Sequence, residues 1–405
     1  MYKHNIAIVI CWSGEWPWYF KFFLHSVRFN PTIDFLIITD TQNSEDLPGN
    51  IKMIYKSLEE IADLASKKLF FNAVIGNPYK LNDYKPAYGL IFEDYLMEYD
   101  FWGHGDIDII FGNIRKFMTN EMLDEYDFIT VRHDFIAGFF SLFKNNELMK
   151  TLFKESKDYQ KVFSSSRHYC FDECNFLHPQ LKWKIPIEQI PCEIESMEHV
   201  IRKSAKAGLI MAHYDFLVVE SNPGKLRWEN GELFYKEKFE ALFFHLIRFK
   251  KLPFLIKPLW NKIPNVFFIH QFYISMYKPN STKGTVERVL SNFKSETFKA
   301  KTQLKWQFSD IAGSLKRGNK EKETQKYLGA YRSNNSVVGI GMENELNNIF
   351  ILEGTQVTPL KKVKANEFIA KKTGLRVTFN ITDQPHFLIE DVFKWGADKR
   401  VYYKM

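Results

Sequence analysis

From Ile6 to Tyr99 apolar β-branched runs take turns with amphipathic stretches, and that alternation leaves few architectures open. Ile6 to Cys11 is a short apolar run ending at Ser13 and Gly14; Pro17 to Phe29 has a broad aromatic face; Asp34 to Thr39 and Ile51 to Tyr55 are further strand-like runs. Helical spacing resumes at Leu58 to Phe71 and in YGLIFEDYLMEY, where Tyr88, Ile91, Phe92, Tyr95 and Leu96 share a face. Strands that alternate with helices predict an α/β fold with a mostly parallel sheet covered on both sides.

The next segment, FWGHGDIDIIFG (101–112), reads as a buried strand carrying two carboxylates two positions apart. Burying a charged carboxylate without a partner costs several kcal/mol or more, so Asp106 and Asp108 call for a cation. At a strand end the backbone can turn both onto one ion, and hard cations such as Mg²⁺ or Mn²⁺ take oxygen ligands while keeping sites for water and phosphate. In open α/β sheets ligands sit beyond the carboxyl ends of the strands, where this pair would fall. The competing readings are a helix cap for NIRKFM, or pairing with Lys and Arg. Two more strands, YDFITVRHD and AGFFSLFKN, a helix from Asn146 to Lys157 and a Ser-rich stretch follow. ENGE (229–232) between LRW and LFY signals a hairpin.

At 405 residues the chain is long enough for two or three domains, and its 45% hydrophobic content supplies their cores. Four cysteines argue against a disulfide-built secreted protein. The start of the sequence has no signal-peptide pattern, and no window reaches the roughly 18 apolar residues of a membrane span. A cytoplasmic protein is expected. Formal charge is +7, but residues 241–326 carry +12 and the rest −5, so an anionic partner belongs to that segment. The expected domains are 1–250, a basic aromatic extension and linker at 251–326, and an all-β module at 327–405, where SVVGIGM, NIFILEG, LRVTFNITD and HFLIEDVF look like short strands.

DYKPAYGLIFEDYLMEYDFWGHGDIDIIFGNIR (83–115) resembles the GT-A nucleotide-sugar glycosyltransferases, within them a bacterial group in which a KPAYG helix leads into a YDFWGxxDIDxxxG strand. The resemblance implies a Rossmann-like mixed sheet flanked by helices, whose Asp106 and Asp108 hold Mn²⁺ or Mg²⁺ on the diphosphate of a nucleotide sugar, a UDP-sugar in the first instance. It implies base and ribose contacts at Cys11, Trp12 and Ser13 and a basic donor contact at Lys85, for which a solvated helix start is the plain alternative. Gly138 in AGFFSLFKN falls where a missing Cβ lets the donor sugar approach, or is a simple bulge. CFDEC brings Asp172 and Glu173 to a helix start, where either one serves as catalytic base or both merely complement the helix dipole. FFHLIRFKK resembles the His-plus-basic segment of such enzymes: His245 completes the metal shell or is a core histidine, and Arg248 and Lys250 are candidate phosphate contacts.

His168, Cys170, Cys174 and Cys192 raise a zinc reading, opposed by the missing paired spacing. Basic residues and aromatics across 241–286 (Phe243, Phe244, Phe249, Trp260, Phe267, Phe268, Tyr273) suit either an anionic bilayer surface at the inner face of the membrane or a helical subdomain over the sheet. No nucleic-acid-binding signature is present, so no such partner is expected. The tail, best in EFIAKKTGLRVTFN, is loosely similar to a small β domain appended to bacterial serine hydrolases and is read as accessory. The expected activity is metal-dependent transfer of a sugar to a hydroxyl of a bacterial surface polysaccharide or lipid-linked glycan precursor. Its rival is a non-catalytic glycan- or nucleotide-binding protein on the same scaffold.

Overall fold

The β-branched runs near the start become strands buried on both faces, which is why they show no polar alternation. The computed structural model describes residues 2–292 apart from 183, 222, 223, 253, 254 and 259, and beyond them the strands between 329 and 404. β1 (Ile6–Trp12), β2 (Ile33–Thr39), β3 (Ile51–Tyr55) and β4 (Phe101–Gly105) run parallel to one another. After β5 (Ile109–Phe111) come β6 (Phe128–Thr130), β7 (Phe140–Lys144) and β8 (Ala212–Tyr214). Together they make a seven-stranded sheet of order β3-β2-β1-β4-β7-β6-β8, in which β7 alone runs against the others.

One face of this sheet packs on the helix Phe20–Arg28 through Phe20, Phe23 and Val27; the other packs on the helices Leu58–Leu69 and Met197–Lys206 through Ile61, Ala65, Val200 and Ile201. The expected mixed α/β sheet with helices on both sides is therefore present. Leu58–Leu69 starts cleanly because Ser57 and Glu60 form a reciprocal capping box.

A second layer follows. β9 (Val219–Glu220), β10 (Leu226–Glu229), β11 (Glu232–Tyr235), β12 (Phe239–Glu240) and β13 (Phe243–His245) lead to β14 (Val266–Ile269) and β15 (Ile274–Ser275). They form a five-stranded antiparallel sheet, β12-β11-β10-β14-β15, and a three-stranded one, β5-β13-β9. The ENGE hairpin joins β10 to β11, with Asn230 and Gly231 both at positive φ (48° and 91°), as the twist-matched two-residue turn requires.

Part of the basic segment expected as a helical extension is thus β-strand, while residues 282–292 are helical. Of the two readings of its aromatics, the structure agrees with inward packing rather than insertion. Phe243, Phe244, Phe249, Phe267, Phe268 and Tyr273 are buried in the core and Trp260 packs against it, so they are not available to enter a bilayer. The first compact unit extends to Ser295. Much of the linker expected before 327 lies outside the described residues.

The second unit, 296–405, contains an eight-stranded antiparallel barrel that runs from β16 (Gly329–Arg332) to β23 (Arg400–Lys404) and closes by pairing those two strands. Phe368, Val377 and Phe379 are buried within this unit. Among the described residues no helix is long and apolar enough to cross a membrane.

Candidate functional site

The DIDII stretch serves two sheets. β4 ends at Gly105 in the middle of the seven-stranded sheet, the chain turns through Asp106, Ile107 and Asp108, and β5 then pairs antiparallel with β13. The carboxylates interrupt an apolar run because they occupy the turn between two buried strands. That register also sets His245, which pairs with Ile109, while the Leu246 N–H donates to the Asp108 carbonyl at 2.9 Å. One oxygen from each of Asp106 and Asp108 and one ring nitrogen of His245 all lie within 4.8 Å of one another.

Each carboxylate also has an ammonium partner. Lys85 Nζ donates to Asp106 Oδ1 at 2.6 Å and to the Gly138 carbonyl at 2.8 Å. Lys250 Nζ donates to Asp108 Oδ2 at 2.5 Å, and His245 Nε2 lies 3.3 Å from the same oxygen. Lys85 is therefore buried, at the rim of the sheet, and is not a solvated helix start. Arg248 is exposed; of the two basic candidates in this segment, Lys250 is the one that reaches the carboxylates.

Burial would raise the Asp108 carboxyl, but the His245 and Lys250 hydrogen bonds hold it well below the usual carboxylate range. Burial likewise would lower His245, yet its bonds to Asp108 and Glu220 push it up to about 9. Glu220 lies 3.4 Å from His245 Nδ1 and pairs on its other side with Arg132, which also grips Asp134 at 2.8 and 2.7 Å. Sequence reading missed Glu220 and Arg132. Glu220 sits on a two-residue strand whose pairing with His245 only the fold reveals.

CFDEC is a turn and not the expected helix start, because Cys170, Asn175 and Phe176 adopt positive φ and no helix propagates through such residues. The helix-dipole reading of Asp172 and Glu173 falls with it. Asp172 Oδ1 is buried with no hydrogen-bond partner, and burial, then the neighbouring Glu173, raise its carboxyl well above the ordinary range. Glu173 is engaged on both oxygens: Oε1 accepts the Gly138 N–H at 2.9 Å and Oε2 meets His178 Nε2 at 2.7 Å. Against its burial, the His178 bond holds Glu173 low. A Cβ on Gly138 would lie 2.3 Å from Asp172 Oδ2, so glycine here permits close approach of these carboxylates.

At the end of β1, Cys11 is half-buried beside Tyr88, and burial pushes its thiol up to about 12. Ser13 Oγ donates to Asp40 Oδ2 at 2.5 Å, and Trp12 Nε1 donates to the Gly14 carbonyl at 3.0 Å, with its ring stacked on Trp16. The structure thus brings Asp106, Asp108, His245, Lys85, Gly138, Asp172 and Glu173 into one connected network. Cys11 adjoins it through Tyr88 and Lys85, whereas Trp12 and Ser13 bond to Gly14 and Asp40 and Arg248 is exposed. Of the four zinc candidates, His168 pairs with Asp83 at 3.1 Å and Cys192 is exposed beside His199, so that set does not assemble.

Two carboxylates and an imidazole within one ion's reach suit Mn²⁺ or Mg²⁺, so the donor set fits the expected cation. Among curated proteins none matches the chain. Among solved structures it is similar to the galactosyltransferase LgtC in complex with donor and acceptor sugar analogs, at a TM-score of 0.28 and 10% identity, over 53% of this chain and 75% of that one. An active-site mutant of LgtC gives a TM-score of 0.28 at 11% identity over the same shares. A family model described as "Family of unknown function (DUF6625)" matches residues 8–274, and the chain belongs to that family.

Proposed function

We propose that the chain is a metal-dependent glycosyltransferase that moves a sugar from a nucleotide-diphosphate donor to a hydroxyl of a bacterial surface polysaccharide or its lipid-linked precursor. The observation that carries this reading is the convergence of Asp106, Asp108 and His245 at the carboxyl end of β4, ringed by two buried or half-buried lysines. Asp106, Asp108 and His245 would hold the ion, which when bound supplies a positive charge that stabilises the departing diphosphate. Lys85 and Lys250 add ammonium groups at the same rim and favour an anionic ligand there.

Of the two carboxylates in the turn, Asp172 is the one we assign as catalytic base, because its Oδ1 has no hydrogen-bond partner whereas both oxygens of Glu173 are engaged. Its buried position raises its proton affinity, as suits a group that must take a proton from a hydroxyl near neutral pH. Glu173, held by Gly138 and His178, keeps the turn in place. The same reading puts the enzyme in the cytoplasm, against the inner face of the membrane through the basic residues of 241–286.

A thermal-shift panel of nucleoside diphosphates with and without Mn²⁺, followed by assay of free nucleotide released from the matching nucleotide sugar, tests the proposal. The expected result is stabilisation by one nucleotide that depends on Mn²⁺, and release that depends on both. No stabilisation by any nucleotide overturns it, and stabilisation without release favours the non-catalytic binding protein.

A further inference from the structure

The turn CFDECNF, residues 170–176, holds Cys170, Asn175 and Phe176 at φ of 53°, 52° and 63°. Left-handed backbone at non-glycine residues costs energy and persists where surrounding contacts over-determine it. The contacts formed here are chemically specific. Cys170 Sγ lies 3.4 Å from Glu173 Oε2 and 3.9 Å from His178 Nε2, and those two atoms are 2.7 Å apart. A thiol, a carboxylate and an imidazole from a nine-residue segment share one point.

Zinc ligands at about 2.3 Å for sulfur and 2.0–2.2 Å for nitrogen and oxygen stand about 3.3–3.6 Å apart at tetrahedral angles. Both separations to Cys170 lie within about 0.3 Å of that range, and the third reaches it if the Glu173–His178 hydrogen bond opens by about 0.6 Å. We propose that Cys170, Glu173 and His178 form a second divalent-cation site, of the zinc type, separate from the Asp106–Asp108–His245 group. This proposal does not rest on the sugar-transfer reading.

The two donor sets call for different ions. The sulfur ligand selects zinc or cobalt, whereas the oxygen-rich pair suits Mn²⁺ or Mg²⁺. The Glu173 and His178 side chains are 19% and 30% exposed, which gives a path for entry and a water as fourth ligand. Glu173 Oε1 is oriented by the Gly138 N–H, and the His178 ring is braced edge-on by Phe135 at 4.7 Å. Partners of this kind fix metal ligands in place. On binding, the Cys170 thiol gives its proton to solvent, and the ion ties the 170–178 segment together and fixes Asp172 beside Gly138.

Cobalt titration of the full chain, reduced with a phosphine, tests this. Thiolate coordination gives a charge-transfer band in the near ultraviolet, and cobalt on Asp106, Asp108 and His245 gives none, because that group has no sulfur. The expected result is a band that saturates by two equivalents of added cobalt at the intensity of one thiolate-bound ion per chain, is kept in Cys192→Ser, is lost in Cys170→Ser, and needs at least about tenfold more cobalt in His178→Gln. Absence of the band from the wild-type chain, or its survival in Cys170→Ser, overturns the proposal. Should Cys170→Ser fail to fold, a band that His178→Gln leaves unchanged overturns it equally.

Discussion

On the proposed reading Asp106 and Asp108 would do the same work for an ion, but they do different work for the fold. The Asp106 side chain is 33% exposed and that of Asp108 is 6% exposed, with His245 and Lys250 turned upon it. Both Asp106→Asn and Asp108→Asn are expected to abolish Mn²⁺-dependent stabilisation by nucleotide, as the same thermal-shift panel reads. Asp108→Asn should also lower the melting temperature more, because removing one member of a buried charge group costs about 3 kcal/mol or more. Gly138→Ala makes a separate prediction: the new methyl would lie 2.3 Å from Asp172 Oδ2 and 2.9 Å from Glu173 Cγ and Oε1, so both side chains must shift, while Gly138 itself lies before β7 and outside the strands. Turnover should fall by about 100-fold, the cost of misplacing reacting groups by an ångström, with the melting temperature nearly unchanged. Steady-state kinetics beside a melting curve checks both halves. That Asp106 and Asp108 need cationic company was legible from carboxylates standing in an apolar run; the structure supplies Lys85 and Lys250 as the ammonium partners of the competing reading and sets His245 within reach of both carboxylates. That Lys250 and not Arg248 would reach Asp108 was not legible, since two residues on a short turn differ only in direction.

At the scale of elements, the parallel strands could be read because burial on both faces leaves a continuous β-branched run that few other structures produce. The turn at 170–176 was misread as a helix start, since Asp and Glu favour helix N-termini and a positive φ at Cys170 leaves no mark in composition. Strands β14 and β15, of four and two residues, leave little mark in the sequence because no turn signal such as the Asn-Gly between β10 and β11 accompanies them. The helix Phe20–Arg28 carries a prediction of its own. His25 packs on Trp228 at 4.8 Å, and burial, with Arg28 and Lys262 adding to it, pushes its imidazole down to about 4 from 6.5. The unfolded chain takes up that proton first as pH falls, so His25 contributes stability that is full above about 6.5 and is lost progressively towards 4. The melting temperature should therefore drop between pH 7 and 5, and His25→Leu should flatten the slope. His270, also pushed to about 4 by burial, keeps part of it. An equal slope in His25→Leu would contradict the assignment.

Across the whole molecule the positive charge is concentrated, and what that charge does depends on which side chains accompany it. Residues 241–286 carry seven basic and no acidic residues. Lys250 is committed to Asp108, while Arg248, Lys251, Lys257, Lys262, Lys278 and Lys283 are exposed. Because the neighbouring aromatics pack inward, any attraction to an anionic bilayer has to come from these cations without insertion. Each basic residue near such a surface contributes about 1 kcal/mol, and the contribution fades as the screening length shrinks from about 10 Å at 0.1 M salt to about 3 Å at 1 M. Insertion of aromatic rings would respond little to salt, so the two modes separate cleanly. Sedimentation with vesicles containing an anionic lipid should show binding at low salt that vanishes by 1 M and is absent with neutral vesicles. Replacing Lys251, Lys257 and Lys262 together by Gln should weaken it by about 3 kcal/mol, or roughly 100-fold, with no loss of Mn²⁺-dependent nucleotide stabilisation. Binding that persists at 1 M salt would mean that apolar groups enter the bilayer after all, and no binding at low salt would remove the membrane from the proposal while leaving the carboxylate site untouched.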